Sequence, residues 1–174
     1  NPPSAENITE TIVKPTDTSI KPEANLNPVV VLPMADPSLS QLADTDTPIE
    51  LHAGDNVLLV GDSMMQGLGP HIVSSLSRNN GVQTLDLSRH STGLAYPGYY
   101  DWPNTILQKL QSEKFKLMMI FIGANDTWDI VINGKYTSFG HPKWVDVYSE
   151  RVENIILTAK AYNTRIIWLG APPM

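Results

Sequence analysis

Hydrophobic and polar positions change pattern near residue 50. Downstream, Val57-Leu58-Leu59-Val60 is an unbroken apolar run closed by Gly61, and consecutive apolar positions with no polar face predict a strand covered on both sides, as in a parallel sheet. A helix is expected over residues 64–78, and a second strand over 82–87. Asp101-Trp102-Pro103 reads as a helix start, with Asp as the cap and Pro in the first turn; Ile106, Leu107 and Leu110 give that helix its buried face. Residues 117–122 form the clearest strand. Val145, Tyr148, Val152, Ile155, Ile156 and Ala159 recur at three and four residues, the spacing of an amphipathic helix. A last strand is expected over 165–169, before Gly170-Ala171-Pro172-Pro173.

Strands alternating with helices predict an α/β fold around a parallel sheet. In such a fold, functional residues gather beyond the carboxyl ends of the strands.

The first 50 residues are unlike the rest. They hold eight of the 14 prolines and no Phe, Tyr or Trp, too little apolar surface to offset the entropy of ordering the chain. Residues 1–47 are therefore expected to be a Pro-rich, acidic, flexible linker, with at most a short strand around 29–32, and residues 48–174 the folded unit. The net charge of −6 belongs to the first 50 residues, where two lysines face eight acidic residues; the remainder balances at ten and ten. That balance offers no footprint for a nucleic-acid backbone. The longest apolar run is far shorter than the ~20 residues that span a bilayer. Without cysteine, disulfides, thiolate metal sites and a cysteine nucleophile are excluded. The four histidines have no ligand spacing and no accompanying carboxylate cluster, so neither a metal nor another cofactor is expected.

Three loops at strand ends carry candidate chemistry. Gly61-Asp62-Ser63 leaves the first strand and enters a helix, placing Ser63 where backbone N–H groups and the helix dipole favour negative charge. Ser63 is then either a nucleophile or merely the helix N-cap. The G-x-S-x-G elbow does not fit, because Met65 occupies its last glycine; Gly67-Leu68-Gly69 lacks the third glycine and the Lys-Ser/Thr of phosphate loops. Ser91-Thr92-Gly93 follows the second strand and brings a glycine N–H that can approach a reacting atom closely. Gly123-Ala124-Asn125-Asp126 follows the third, with an Asn amide able to donate to an oxyanion. Taken singly, each of these last two is also an ordinary turn.

In order and in strand context the three loops resemble the SGNH (GDSL-like) hydrolase superfamily: Gly61-Asp62-Ser63-Met64 fits its first block, Gly93 its second and Gly123-Ala124-Asn125-Asp126 its third. The resemblance covers residues 55–174. It implies a three-layer α/β/α, flavodoxin-like fold in which Ser63 attacks an ester carbonyl and the Ser63 N–H, the Gly93 N–H and the Asn125 side chain form the oxyanion hole. Asp62 and Asp126 are expected to orient the loop backbone and the Asn125 amide. The longer texts Gly61-Asp62-Ser63-Met64-Met65-Gln66-Gly67, Ser91-Thr92-Gly93-Leu94 and Tyr100-Asp101-Trp102-Pro103 look like the periplasmic branch that contains the peptidoglycan O-acetyltransferase B proteins. That implies O-acetyl transfer to a glycan, peptidoglycan first, through an acetyl-Ser63 intermediate. It also implies a cell-envelope location tethered through sequence upstream of residue 1, and a membrane O-acyltransferase as acetyl donor. A carbohydrate acetylesterase and an inactive glycan-binding module are the alternatives. Tyr96, Tyr100, Trp102 and Trp128 are the candidate sugar-stacking aromatics.

One block is missing. The family's Asp-x-x-His supplies the general base and the carboxylate that orients it, but His52, His71, His90 and His141 are preceded at the third position by Ile49, Leu68, Leu87 and Ser138. The C-terminal part of the fold, with the base, is expected on sequence outside this chain. His71 would lie about 12 Å along the helix from Ser63, too far to serve; His90 and His141 could line the site.

Overall fold

The computed structural model describes residues 47–170, without the side chains of residues 79 and 80. The expected linker over 1–47, with its possible strand, lies almost wholly outside the described residues.

Strand β1 (Asn56–Gly61) is followed by helix α1 (Ser63–Asn80), β2 (Gln83–Asp86), α2 (Trp102–Ser112), β3 (Leu117–Phe121), a hairpin of β4 (Ile130–Ile132) and β5 (Lys135–Thr137), α3 (Pro142–Ala161) and β6 (Arg165–Trp168). The main sheet has the order β2-β1-β3-β6, and every neighbouring pair in it is parallel. Side chains of β1 alternate between two cores, as a pleated strand requires. Val57 and Leu59 pack with Met65, Ile72, Val73 and Leu76 of α1; Leu58 and Val60 pack with Trp102, Ile106 and Leu110 of α2 and Ile155 and Ala159 of α3. Helices on both faces give three layers, and they explain why β1 reads as a continuous apolar run.

Asp101 caps α2 with its side chain on the Asn104 N–H (3.1 Å), and Pro103 lies in the first turn, as the sequence predicts. Gly81 ends α1 at φ 63, the left-handed turn that favours glycine. Gly67-Leu68-Gly69 lies inside α1. One expectation needs correction, and two features are new. The apolar face of α3 starts at buried Trp144 rather than Val145, which is exposed. Its cap is His141, whose Nδ1 accepts from the Lys143 N–H (3.2 Å). The β4–β5 hairpin was not anticipated, although Asn133-Gly134, both at positive φ (49° and 75°), is the residue pair that two-residue hairpin turns favour; its strands of three residues are too short for alternation to register.

Candidate active site

The sheet positions the site. Strand order reverses between β1 and β3, and in open parallel sheets that switch point is where a crevice opens beyond the carboxyl ends. Gly61 is in register with Phe121, and the Asp62 N–H donates to the Phe121 carbonyl (3.2 Å). A Cβ on Gly61 would lie 2.2 Å from the Phe121 oxygen and 2.5 Å from the Met65 Cβ, so only glycine lets α1 turn back so tightly. The Arg89 N–H donates to the Gly61 carbonyl (2.8 Å), tying the loop after β2 to the same edge.

The N-cap reading of Ser63 is excluded by its neighbour. Asp62, fully buried, is the N-cap of α1: its Oδ1 accepts from the Met64 N–H (2.9 Å), and its Oδ2 accepts from the Gly123 N–H (3.3 Å). One carboxylate therefore caps the helix and anchors the loop after β3. Ser63 is the first helical residue and is exposed; among the described residues its hydroxyl and its N–H make no hydrogen bond. The cap is not the serine.

Asn125 Nδ2 donates to the Thr92 carbonyl (2.9 Å), joining the second and third loops. Thr92 is itself fixed, its Oγ1 donating to the Arg89 carbonyl (2.6 Å) and accepting from Trp102 Nε1 (3.1 Å). The Gly93 N–H has no acceptor among the described residues. Because the Thr92–Gly93 peptide is trans, its C=O and N–H point to opposite sides. Asn125 thus holds the carbonyl side and leaves the Gly93 N–H facing away from it. The Asn125 amide nitrogen carries a second hydrogen that this bond does not use.

Asp126, 3% exposed, organises the second loop. Its Oδ2 accepts from the Leu94 N–H (2.8 Å) and the Tyr148 hydroxyl (2.9 Å), its Oδ1 from the Ala95 N–H (2.8 Å). A Cβ at Gly93 would sit 2.1 Å from Asp126 Oδ1, so glycine is required there by this close approach. Burial, then the adjacent Asp126 carboxylate, push the Tyr148 phenol far above its ordinary range. Arg151 Nη1 donates to the Leu94 and Ala95 carbonyls (2.6 and 2.8 Å); burial lowers its pKa, opposed by Asp126. Sequence reading missed both. Tyr148 was visible only as one position of an apolar helical face, and nothing in the text around Arg151 marks it.

Beside these donors lies a cavity of about 360 Å³ lined by Ser91, Thr92, Gly93, Tyr96, Tyr99, Asn125 and Trp128. Ser63 does not line it. Of the four proposed stacking aromatics, Tyr96 and Trp128 face this cavity, and Tyr99, not among them, joins as a third. Trp102 is a correction: it is fully buried, in the core shared by α2 and α3. Tyr100 is half-buried against that core, edge-on to Trp102 (4.7 Å) with the Arg89 guanidinium over its ring (4.8 Å). His90 is exposed, His71 is exposed on α1, and none of the four histidines is hydrogen-bonded to Ser63. No group of three or more metal-ligating side chains occurs among the described residues.

A buried parallel sheet, with the Ser63 helix and the two loops after β2 and β3 meeting at its switch point, defines a three-layer α/β protein. The chain belongs to the family DUF459, "Protein of unknown function (DUF459)", whose model matches residues 56–174. Among solved structures, it is similar to TesA, with a TM-score of 0.50 and 18% identity over 67% of this chain and 61% of that one. It is also similar to the psychrotrophic esterase EstA from Pseudoalteromonas sp., in a structure inhibited by monoethylphosphonate, with a TM-score of 0.47 and 13% identity over 66% and 58%. The chain thus spans less than two thirds of either. The likeness to TesA makes the three-layer arrangement an SGNH-like fold. No curated protein matches the sequence.

Proposed function

We propose that this protein is a serine acyl-transfer enzyme in which Ser63 takes an acetyl group from an ester donor and passes it to a glycan hydroxyl, with peptidoglycan as the acceptor class. The observation that carries this reading is the division of labour at the start of α1: buried Asp62 caps the helix, leaving the Ser63 hydroxyl and N–H unengaged at its positive end.

In the first step Ser63 Oγ attacks the donor carbonyl carbon, a base takes the hydroxyl proton, and the carbonyl oxygen becomes an oxyanion. The Ser63 and Gly93 N–H groups and the Asn125 amide stabilise it. Collapse expels the donor alcohol, which takes up a proton, and leaves acetyl-Ser63. The glycan hydroxyl then attacks, losing its proton, and the new ester departs as Ser63 is regenerated. Catalysis needs a base at Ser63, the role that the Asp-x-x-His block plays in the family this chain resembles. Tyr96, Tyr99 and Trp128 supply aromatic faces on which sugar rings stack. The resemblance adds a cell-envelope setting and delivery of acetyl by a membrane O-acyltransferase.

The test uses both this chain and the full gene product. Each is treated with a serine-directed fluorophosphonate and analysed by mass spectrometry, and acetyl transfer to chito-oligosaccharide is measured against release of free acetate. One adduct on Ser63, with transfer lost by a factor of about 10³ or more in Ser63→Ala, supports the proposal. Acetate release without transfer would make it an esterase instead. Glycan binding indifferent to Ser63→Ala, with no turnover by either protein, would refute an enzymatic role.

A further inference from the structure

Residues 94 and 95 are held in an unusual way. Both of their N–H groups donate to Asp126, and both of their carbonyls accept from a single Arg151 nitrogen. Opposite charges thus grip both sides of the Leu94–Ala95 peptide group and one side each of the peptide groups before and after it, immediately after Gly93. Tyr148, one helical turn before Arg151 on α3, completes the carboxylate's shell, and its ring is stacked on Trp144 (centroids 4.8 Å, interplanar angle 12°). The Asp126 carboxylate in turn occupies the space a Cβ would need at Gly93. On the other side of Gly93, Ser91 adopts φ 58, a conformation uncommon for a residue with a side chain. A loop needing only to be soluble would leave such backbone groups to water; here they are satisfied by a half-buried cation and a buried anion from two different elements.

We propose that Arg151 and Tyr148 are positioning residues for the acyl-transfer site: through the Leu94 and Ala95 backbone, and through Asp126, they fix where the Gly93 N–H stands relative to Ser63 and Asn125. Neither touches the reacting atoms. This inference rests on the reading of Ser63 and Gly93 given above. It adds that α3, far from Ser63 in sequence, sets the geometry of the oxyanion hole.

The experiment compares the unaltered full gene product with Arg151→Ala, Arg151→Lys and Tyr148→Phe. The readouts are kcat and KM for acetyl transfer, the melting temperature, and the Gly93 amide resonance in 15N-glycine-labelled protein. Misplacement of a reacting group by about 1 Å costs on the order of 10² in rate. Arg151→Ala is accordingly expected to lose about 10- to 100-fold in kcat with KM within about threefold. Its Gly93 resonance should shift, and added guanidinium should restore part of the rate without raising the melting temperature. Arg151→Lys should lose less, and Tyr148→Phe about tenfold or less. If Arg151→Ala does not fold, the other two variants decide the matter by the same readouts. Folded variants with kcat within twofold of the unaltered protein and an unmoved Gly93 resonance would overturn the inference while leaving the proposed function standing. An unaltered protein with neither turnover nor a Ser63 adduct would instead overturn the proposed function, and the inference with it.

Discussion

Four consecutive β1 residues, Val57, Leu58, Leu59 and Val60, are wholly buried and shared between two apolar cores. The loops at the carboxyl edge of the same sheet are held instead by a few polar hubs: Asp62 joins the first loop to the third, Asn125 joins the third to the second, and Asp126 and Arg151 grip the second from both sides. The two regions fail differently. Apolar packing is spread over many weak contacts, so losing one side chain costs stability in proportion to the cavity left. A polar hub concentrates several directional bonds on one group, and its loss orphans every partner at once. The edge is thereby the region where a single change can alter geometry without removing the fold.

Four substitutions sharpen that contrast. Leu58→Ala is expected to have the largest effect, about 2–5 kcal/mol of unfolding free energy, read from urea denaturation, with kcat per folded molecule unchanged; a fall in kcat would show that scaffold and site are less separable than described. Asn125→Ala should reverse the pattern, lowering kcat by about 10² to 10³ while changing the unfolding free energy by about 1 kcal/mol, the worth of its bond to Thr92. Full activity in that variant would remove Asn125 from the oxyanion hole.

Tyr148→Phe tests a hub by pH. The phenol is held above its ordinary pKa by burial and by Asp126, so it stabilises the fold fully below the unfolded value, about 10, and that contribution is lost as pH rises beyond it. Unfolding titrations should find Tyr148→Phe less stable at neutral pH by about 1–2 kcal/mol, with the gap narrowing above about pH 10. A gap that widened with pH would mean the hydroxyl does not donate to Asp126. The smallest effect is expected at Trp128, 66% exposed: Trp128→Ala should raise KM for a glycan acceptor by about three- to tenfold and leave the melting temperature within about 1 °C. An unchanged KM would exclude this ring from acceptor binding.

Reading by pattern succeeded where burial repeats. Strand β1, strand β3 and the Asp101-Trp102-Pro103 start of α2 were legible because a two-sided apolar run and a capping residue each have one structural meaning. It failed where the same residue type has two fates. Trp102 and Trp128 were both read as sugar-stacking candidates, but Trp102 stands on the face of α2 that meets the core while Trp128, in the loop after β3, lies on the rim of a cavity. Val145 and Trp144 exchange roles for the same reason, a shift of one residue turning a side chain through about 100° on the helix.

What the sequence determined by itself was the alternation of strands and helices, the two-sided burial of the sheet, and the three loops that must emerge at its carboxyl edge, because periodicity and chain punctuation are local properties. Tertiary structure alone decided that Asp62 rather than Ser63 caps α1, that Gly93 is glycine because a carboxylate 33 residues away stands against its α-carbon, and that Tyr148 bonds to Asp126 while Arg151 bonds to the Leu94 and Ala95 carbonyls. Each of those depends on groups distant in the chain meeting within hydrogen-bond reach, and no local pattern encodes which distant partners will meet.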